Sequence, residues 1–349
     1  GWCDWSSDVC SSDLIARRPF AEAAYEFGNA DPAPVRITPD WRSDPDTALE
    51  SAIVRRRGDR GVVVSLIDHA KEPRTVEVTI ALADLDLDRG GLVYVVDHAI
   101  ADAGEFRGTV TTPVARRDYR DGGWRHDLVT QRRLLHVGPY AEALTLRLAL
   151  EPLQLHQLVI TDQPVAAWSH DDLPANYLFG TSRGVRITAR TDVAARTVEA
   201  QVVCDRERAE VIALAPDGWS FGAVRLDGEA VEPAWTYECG RLCPVIRLSR
   251  GEHRLVLQAD EAPTAAPAVA VQAALRDGRI ELSPGGVWTL ERAGRVVAAG
   301  AGSSISVAPV HPGGEYAITL RGLLRGGRAV PVAAAAAAAV TLPEAALRL

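Results

Sequence analysis

Apolar and polar side chains alternate along much of this chain, and turn residues break the alternation every few positions. Thr75–Ile80, Ala143–Leu150, Val185–Arg190 and Thr197–Val203 each place every second side chain on one face, as a strand with one buried face requires. Ser51–Ile67 carries two β-rich runs around Gly58-Asp59, the pattern of a hairpin. Gly91–Val96 and Gln154–Ile160 are short apolar runs. Ala209–Leu214, Ala223–Gly228, Val245–Leu248 and His253–Leu257 follow, separated by Pro and Gly. Further strands are predicted at Arg279–Leu282, Val287–Arg292, Arg295–Ala298, Ser304–Val307 and Tyr316–Arg321, with Ala293-Gly294 at a turn. No long helical period accompanies them. The pattern predicts an all-β protein built of tandem antiparallel β-sandwiches.

The breaks in this pattern divide the chain. Residues 15–50 are rich in Pro and Asp and read as a linker or the remnant of an upstream domain. Residues 51–163 form a first predicted sandwich, interrupted by a long polar excursion over 104–140. Residues 164–260 form a second. Ala262–Ala268 is an extended Pro/Ala linker, and 269–349 is a small module that resembles an immunoglobulin or fibronectin domain. Its tail includes the Ala-rich run 333–339, which favours helix but is too short to hold one alone.

Asp4–Leu14 (Asp-Trp-Ser-Ser-Asp-Val-Cys-Ser-Ser-Asp-Leu) resembles the conceptual translation of a sequencing adapter. Residues 1–14 are therefore set apart as an artefact, and the expectation is a truncated chain whose upstream domain is missing. Of the five cysteines, Cys204, Cys239 and Cys243 then remain. The net charge of −8 argues against a nucleic-acid partner. Lys71 is the only lysine among the basic residues, a bias of GC-rich bacterial coding rather than of function. No apolar stretch approaches the roughly 20 residues of a membrane-spanning helix. The compartment stays unassigned.

Candidate chemistry is sparse. Asp68-His69-Ala70 and Asp97-His98-Ala99 repeat a triplet just after predicted strands. They read as turn chemistry rather than as a metal or acid-base site built from matching strand ends, because no third ligand stands at a metal-site spacing. Cys239-Gly-Arg-Leu-Cys243 spans a predicted hairpin tip at Gly240-Arg241, so its cysteines are either a disulfide or a pair of thiols. Within the excursion, Tyr119, Trp124 and His126 are the candidate carbohydrate-binding platform. The alternative there is that Trp124 plugs the loop onto its own sandwich or packs against a neighbouring domain. Trp168, Trp219, Trp235 and Trp288 read as core anchors. No catalytic residue, metal ligand or cofactor site is assigned.

Ile53–His69, Thr75–Ile80 and Leu144–Ile160 together resemble the all-β domain that follows the (β/α)8 barrel in many bacterial glycoside hydrolases. Val224–Val231 and Ile246–Leu257 resemble accessory sandwiches of the same enzymes. The resemblance spans residues 51–260 and implies a non-catalytic accessory region that braces a missing N-terminal catalytic domain and contacts polysaccharide. Two rivals are a stand-alone glycan-binding or cell-surface module, and a polysaccharide lyase using Tyr119, Arg125 and His126.

Overall fold

The computed structural model describes residues 30–32, 36–38, 49–56, 61–68, 70, 72–102, 128–150, 155–168, 181–182, 184–266, 269–277, 279–292, 295–306, 315–333 and 337–341. The described residues form strands in antiparallel sheets, with one 3-10 turn at Leu82–Asp84. None of their helices is long and apolar enough to cross a membrane.

The first unit comprises β1 (Ala30–Pro32), β2 (Ile37–Thr38), β3 (Leu49–Arg56), β4 (Val62–Asp68), β5 (Arg74–Ile80), β6 (Leu92–Asp102), β7 (Leu128–Pro139), β8 (Leu144–Leu150) and β9 (Leu155–Thr161). One sheet runs β1-β3-β4-β9-β6-β7 and the other β2-β5-β8. Between them lie Val64, Leu66, Val78, Ile80, Val93, Val95, Leu148 and Leu158, all nearly inaccessible. The predicted hairpin is present, with Leu49 opposite Asp68 and Val54 opposite Val63. Two expectations change. Part of the 15–50 stretch belongs to this sandwich, because β1 pairs β3 and β2 pairs β5; Pro32 sits in an edge strand, where a missing N–H is tolerated. Residues 128–139 of the 104–140 excursion are strand, with β6 and β7 paired from Leu92–Pro139 out to Asp102–Leu128.

The second unit contains β10 (Val165–Trp168), β11 (Thr181–Ser182), β12 (Val185–Asp192), β13 (Thr197–Ala213), β14 (Trp219–Leu226), β15 (Glu229–Val231), β16 (Ala234–Glu238) and β17 (Arg241–Glu261). Pairs of predicted strands fuse into the long β13 and β17, because the chain between them continues through a bulge (Cys204/Arg208) rather than a turn. Both halves of these strands contribute to one core, including Val198, Val202, Val211, Ile246, Leu255 and Leu257, so the sheet folds over on itself.

The third unit has β18 (Gln272–Arg276), β19 (Arg279–Arg292), β20 (Arg295–Ser306), β21 (Glu315–Arg325), β22 (Arg328–Pro331) and β23 (Ala337–Thr341), around Ile280, Leu290, Tyr316 and Ile318. The end of the Ala-rich run is a strand, with Ala337–Thr341 paired to Thr319–Glu315 of β21. An available sheet edge overrides the helix preference of alanine. Upstream, Ala266 bridges Val332, which pins the predicted linker to this unit.

Two seams weld the units together. Leu92, Tyr94, Val96 and Val159, on the outer face of the first sandwich, pack on Ala166, Ile212, Leu214, Cys243 and Val245 of the second. Trp235, Tyr237 and Leu242 pack on Val287, Ala301 and Ala329 of the third. The hairpin β16–β17 supplies side chains to both. Its register pairs Ala234 with Val245 and Thr236 with Cys243, and Trp235 with Pro244 and Tyr237 with Leu242. Side chains directly opposite share a face, so one face meets the first unit and the other the third.

Candidate functional site

Tyr119, Trp124 and His126 lie outside the described residues, as does Arg125. The two Asp-His-Ala triplets part company. Asp68 ends β4, wholly buried, and its carboxylate accepts a hydrogen bond from the Ala70 N–H (3.0 Å) and two from the Arg74 guanidinium (2.9 and 2.7 Å). That is the expected turn chemistry, reinforced by a bidentate ion pair that raises the Arg74 pKa. Asp97 does not end a strand: β6 continues to Asp102.

Asp97 faces the interior of the first sandwich and is wholly buried. Its Oδ2 lies 2.9 Å from Nδ1 of His156, also wholly buried, and 3.1 Å from Nη2 of Arg133. Its Oδ1 has no hydrogen-bond partner among the described residues. The strands explain the meeting. Leu158 and Ile160 point into the core, so His156, two residues before Leu158, does too. Asp97 lies opposite Leu158 across β6 and β9, and opposite Arg133 across β6 and β7. Sequence reasoning missed His156. The available signal was a polar residue at an inward position of an otherwise apolar strand.

Cys239 and Cys243 are both buried in the first seam. The hairpin tip is Cys239-Gly240, one residue earlier than expected: Glu238 pairs Arg241, and the two turn residues have φ of 53° and 80°. Positive φ at both positions marks the turn type that matches strand twist. Cys239 therefore lies in the turn, while Cys243 sits opposite Thr236, so the two cysteines do not oppose each other across the strands. The Cys239 Sγ stands 3.7 Å from Oε1 of Glu238, and the Cys243 Sγ lies 3.6 Å from the Arg241 carbonyl. Of the tryptophans, Trp235 and Trp288 are buried, and Trp219 packs half-buried against the second core. The side chain of Trp168 is outside the description.

A polar latch runs between the first two units. The Asp88 N–H donates to Asp162 Oδ2 (2.8 Å), Gln163 Nε2 donates to Asp162 Oδ1 (3.0 Å), and the Ala189 N–H donates to Gln163 Oε1. Asp162 and Gln163 are buried. The connection is thus held from both sides, unlike a flexible linker.

The Leu-Asp-Gly and Gly-Glu-His-Arg motifs of the second unit meet at the β14–β15 turn. Asp227 Oδ2 stands 2.8 Å from His253 Nδ1, and Asp227 Oδ1 accepts the Arg254 N–H at 2.8 Å, while His253 Nε2 is 3.0 Å from the Ser249 carbonyl. The His253 hydrogen bond lowers the Asp227 pKa, helped by Arg254. For His253, burial opposes the charge, but the Asp227 and Ser249 bonds outweigh it and the pKa is raised. A raised His pKa adds stability that is full below its ordinary value of 6.5 and vanishes as pH rises through the folded value. A lowered Asp pKa adds stability that is full above 3.8 and vanishes as pH falls through the folded value. The difference in urea midpoint between the parent chain and His253→Ala should therefore be largest between these two ordinary values and shrink on both sides. A difference that grows toward pH 8 would reject this pairing.

Among the described residues, no group of three or more His, Cys, Asp or Glu side chains converges as a metal site. The fold and its seams define an all-β protein of packed antiparallel sheets. Comparison with known protein families and with the curated proteins finds no match.

Proposed function

We propose that this chain is the non-catalytic accessory region of a bacterial carbohydrate-active enzyme, a glycoside hydrolase, in which it braces a (β/α)8 catalytic domain and contacts polysaccharide. The third unit is read as its immunoglobulin-like member. One observation carries the reading: the units are fused through continuous apolar seams, with a hairpin buried on both faces between them. Flexibly tethered binding modules need no such seams, whereas a brace must keep a fixed geometry under load. The strand motifs Ile53–His69 and Val224–Val231 support the same family of enzymes.

The purified chain, incubated with a panel of polysaccharides, should release no products, and its NMR relaxation should report one rigid body. Turnover would overturn the accessory reading. Independent tumbling of the units would overturn the brace. Saccharide affinity confined to Tyr119, Trp124 and His126, lost in Trp124→Ala, would support the glycan contact; absent affinity would remove it and leave the brace.

A further inference from the structure

One flank of the first sandwich ends in an unblunted strand. The chain crosses between the two sheets at both flanks, from β1 to β2 at one and from β7 to β8 at the other. β8 pairs with β5 along its whole length, Arg74 opposite Leu150 and Ile80 opposite Leu144, without a bulge. Among the described residues no strand pairs with its other edge. A free edge presents a row of backbone donors and acceptors, which proteins commonly blunt with Pro, Lys, a bulge or a short strand. β8 uses none of these devices: it runs for seven residues, and its one charge is Arg147. The three-stranded sheet also faces a six-stranded one. Core side chains stay half-covered on this flank, namely Leu135 of β7, Tyr140 of the crossing and Leu144 of β8.

The residues of β8 fit a second copy of the same strand. Leu144-Thr145-Leu146-Arg147-Leu148-Ala149-Leu150 has leucine at every second position, so its pattern reads alike in both directions. Leu146, Leu148 and Leu150 are buried, whereas Thr145, Arg147 and Ala149 are exposed. Two antiparallel β8 strands related by a twofold axis therefore match leucine with leucine on the core face, each occupying the other's free edge. Arg147 selects the register. With Arg147 on the axis, the two guanidinium groups stand directly opposite and repel. With Leu146 or Leu148 on the axis, Arg147 faces the uncharged Thr145 or Ala149 of the other copy. We infer that β8 is a dimerisation strand, whose antiparallel pairing with β8 of a second copy joins the two small sheets into one continuous sheet. The pairing consumes both free edges, so it closes as a dimer and does not propagate. It is independent of the accessory function proposed above.

Sedimentation velocity of the full chain should show a dimer whose population rises with concentration. Two variants with matched substitutions at exposed positions test the strand itself. Thr145→Lys with Ala149→Lys sets a like charge opposite Arg147 in either register, and Thr145→Glu with Ala149→Glu sets an opposite one. The lysine variant should have its dimer Kd raised by about tenfold, and the glutamate variant should bind more tightly than the parent. High salt should narrow the gap between them. Both variants lose the 2.8 Å contact between the Thr79 and Thr145 hydroxyls, so that loss cancels in the comparison. Net charge alone predicts the reverse order, because the chain carries −8, which lysines reduce and glutamates increase. A parent chain still monomeric at about 100 µM overturns the proposal. So does a dimer with the same Kd in both variants, or one following the net-charge order, because its interface then lies elsewhere.

Discussion

Replacing Trp235 with alanine should destabilise the chain by about 3–5 kcal/mol, the usual range for deleting a buried aromatic side chain, and should detach the third unit's unfolding from that of the others. Trp235 fills the centre of the second seam against Val287 and Ala329, and its Nε1 donates to the Gly327 carbonyl at 2.9 Å. Alanine removes both the apolar contact and that bond, and leaves the carbonyl without its donor. The remaining ties across the seam are weaker. Arg328 pairs with Asp260 at 2.6 Å, but both side chains are about half exposed (51% and 55%), where ion pairs contribute little. Arg321 stacks over Tyr237 at 4.8 Å and is otherwise engaged with Thr289 and Glu291 of its own unit. Calorimetry of the parent chain should show the second and third units melting together. The variant should show a separate, lower transition for the third unit. A single transition shifted by less than a degree or two would mean that Trp235 does not carry the coupling between them.

Trp235 also shows what the amino-acid pattern reveals and what it conceals. Strands with one wet face announce themselves: Thr75–Ile80, Leu144–Leu150 and Val185–Arg190 alternate in sequence and in burial alike. The unbroken apolar runs Leu92–Val96 and Val211–Leu214 also read as strands. Their lack of alternation carried a further message, because each is buried on both faces, one in its own sandwich and one in the seam. The hairpin Ala234–Val245 was harder to read. Its two faces are apolar for different partners, so it shows neither clean alternation nor a continuous run, and it carries Glu238 and Arg241 near its tip. Strand ends were blurred where a bulge replaced a turn, as in β13. The Asp97–His156 contact spans 59 positions in the chain, a separation that only the register of β6 against β9 closes.

That contact sets the second large effect. His156→Ala should cost about 3–5 kcal/mol, because it takes a buried hydrogen-bond partner from the wholly buried Asp97 side chain. Among the described residues Asp97 would keep Arg133, whose side chain is 52% exposed, while Oδ2 lost its buried partner and Oδ1 stayed unsatisfied. The loss of ring volume beside Leu66 and Leu158 adds a cavity to this cost. Replacing the two residues together separates a packing role from a chemical one. Asp97→Val with His156→Leu removes both polar groups at once, and buried pairs exchanged for apolar residues of similar volume are commonly neutral or better. If the pair serves only the sandwich, the double variant should recover most of the stability lost by His156→Ala, measured as the urea midpoint at unchanged slope. A double variant at least as unstable as the single one would show that the carboxylate and imidazole hold something in place beyond each other, and would move this cluster from the interior of a sandwich to the centre of the chain's chemistry.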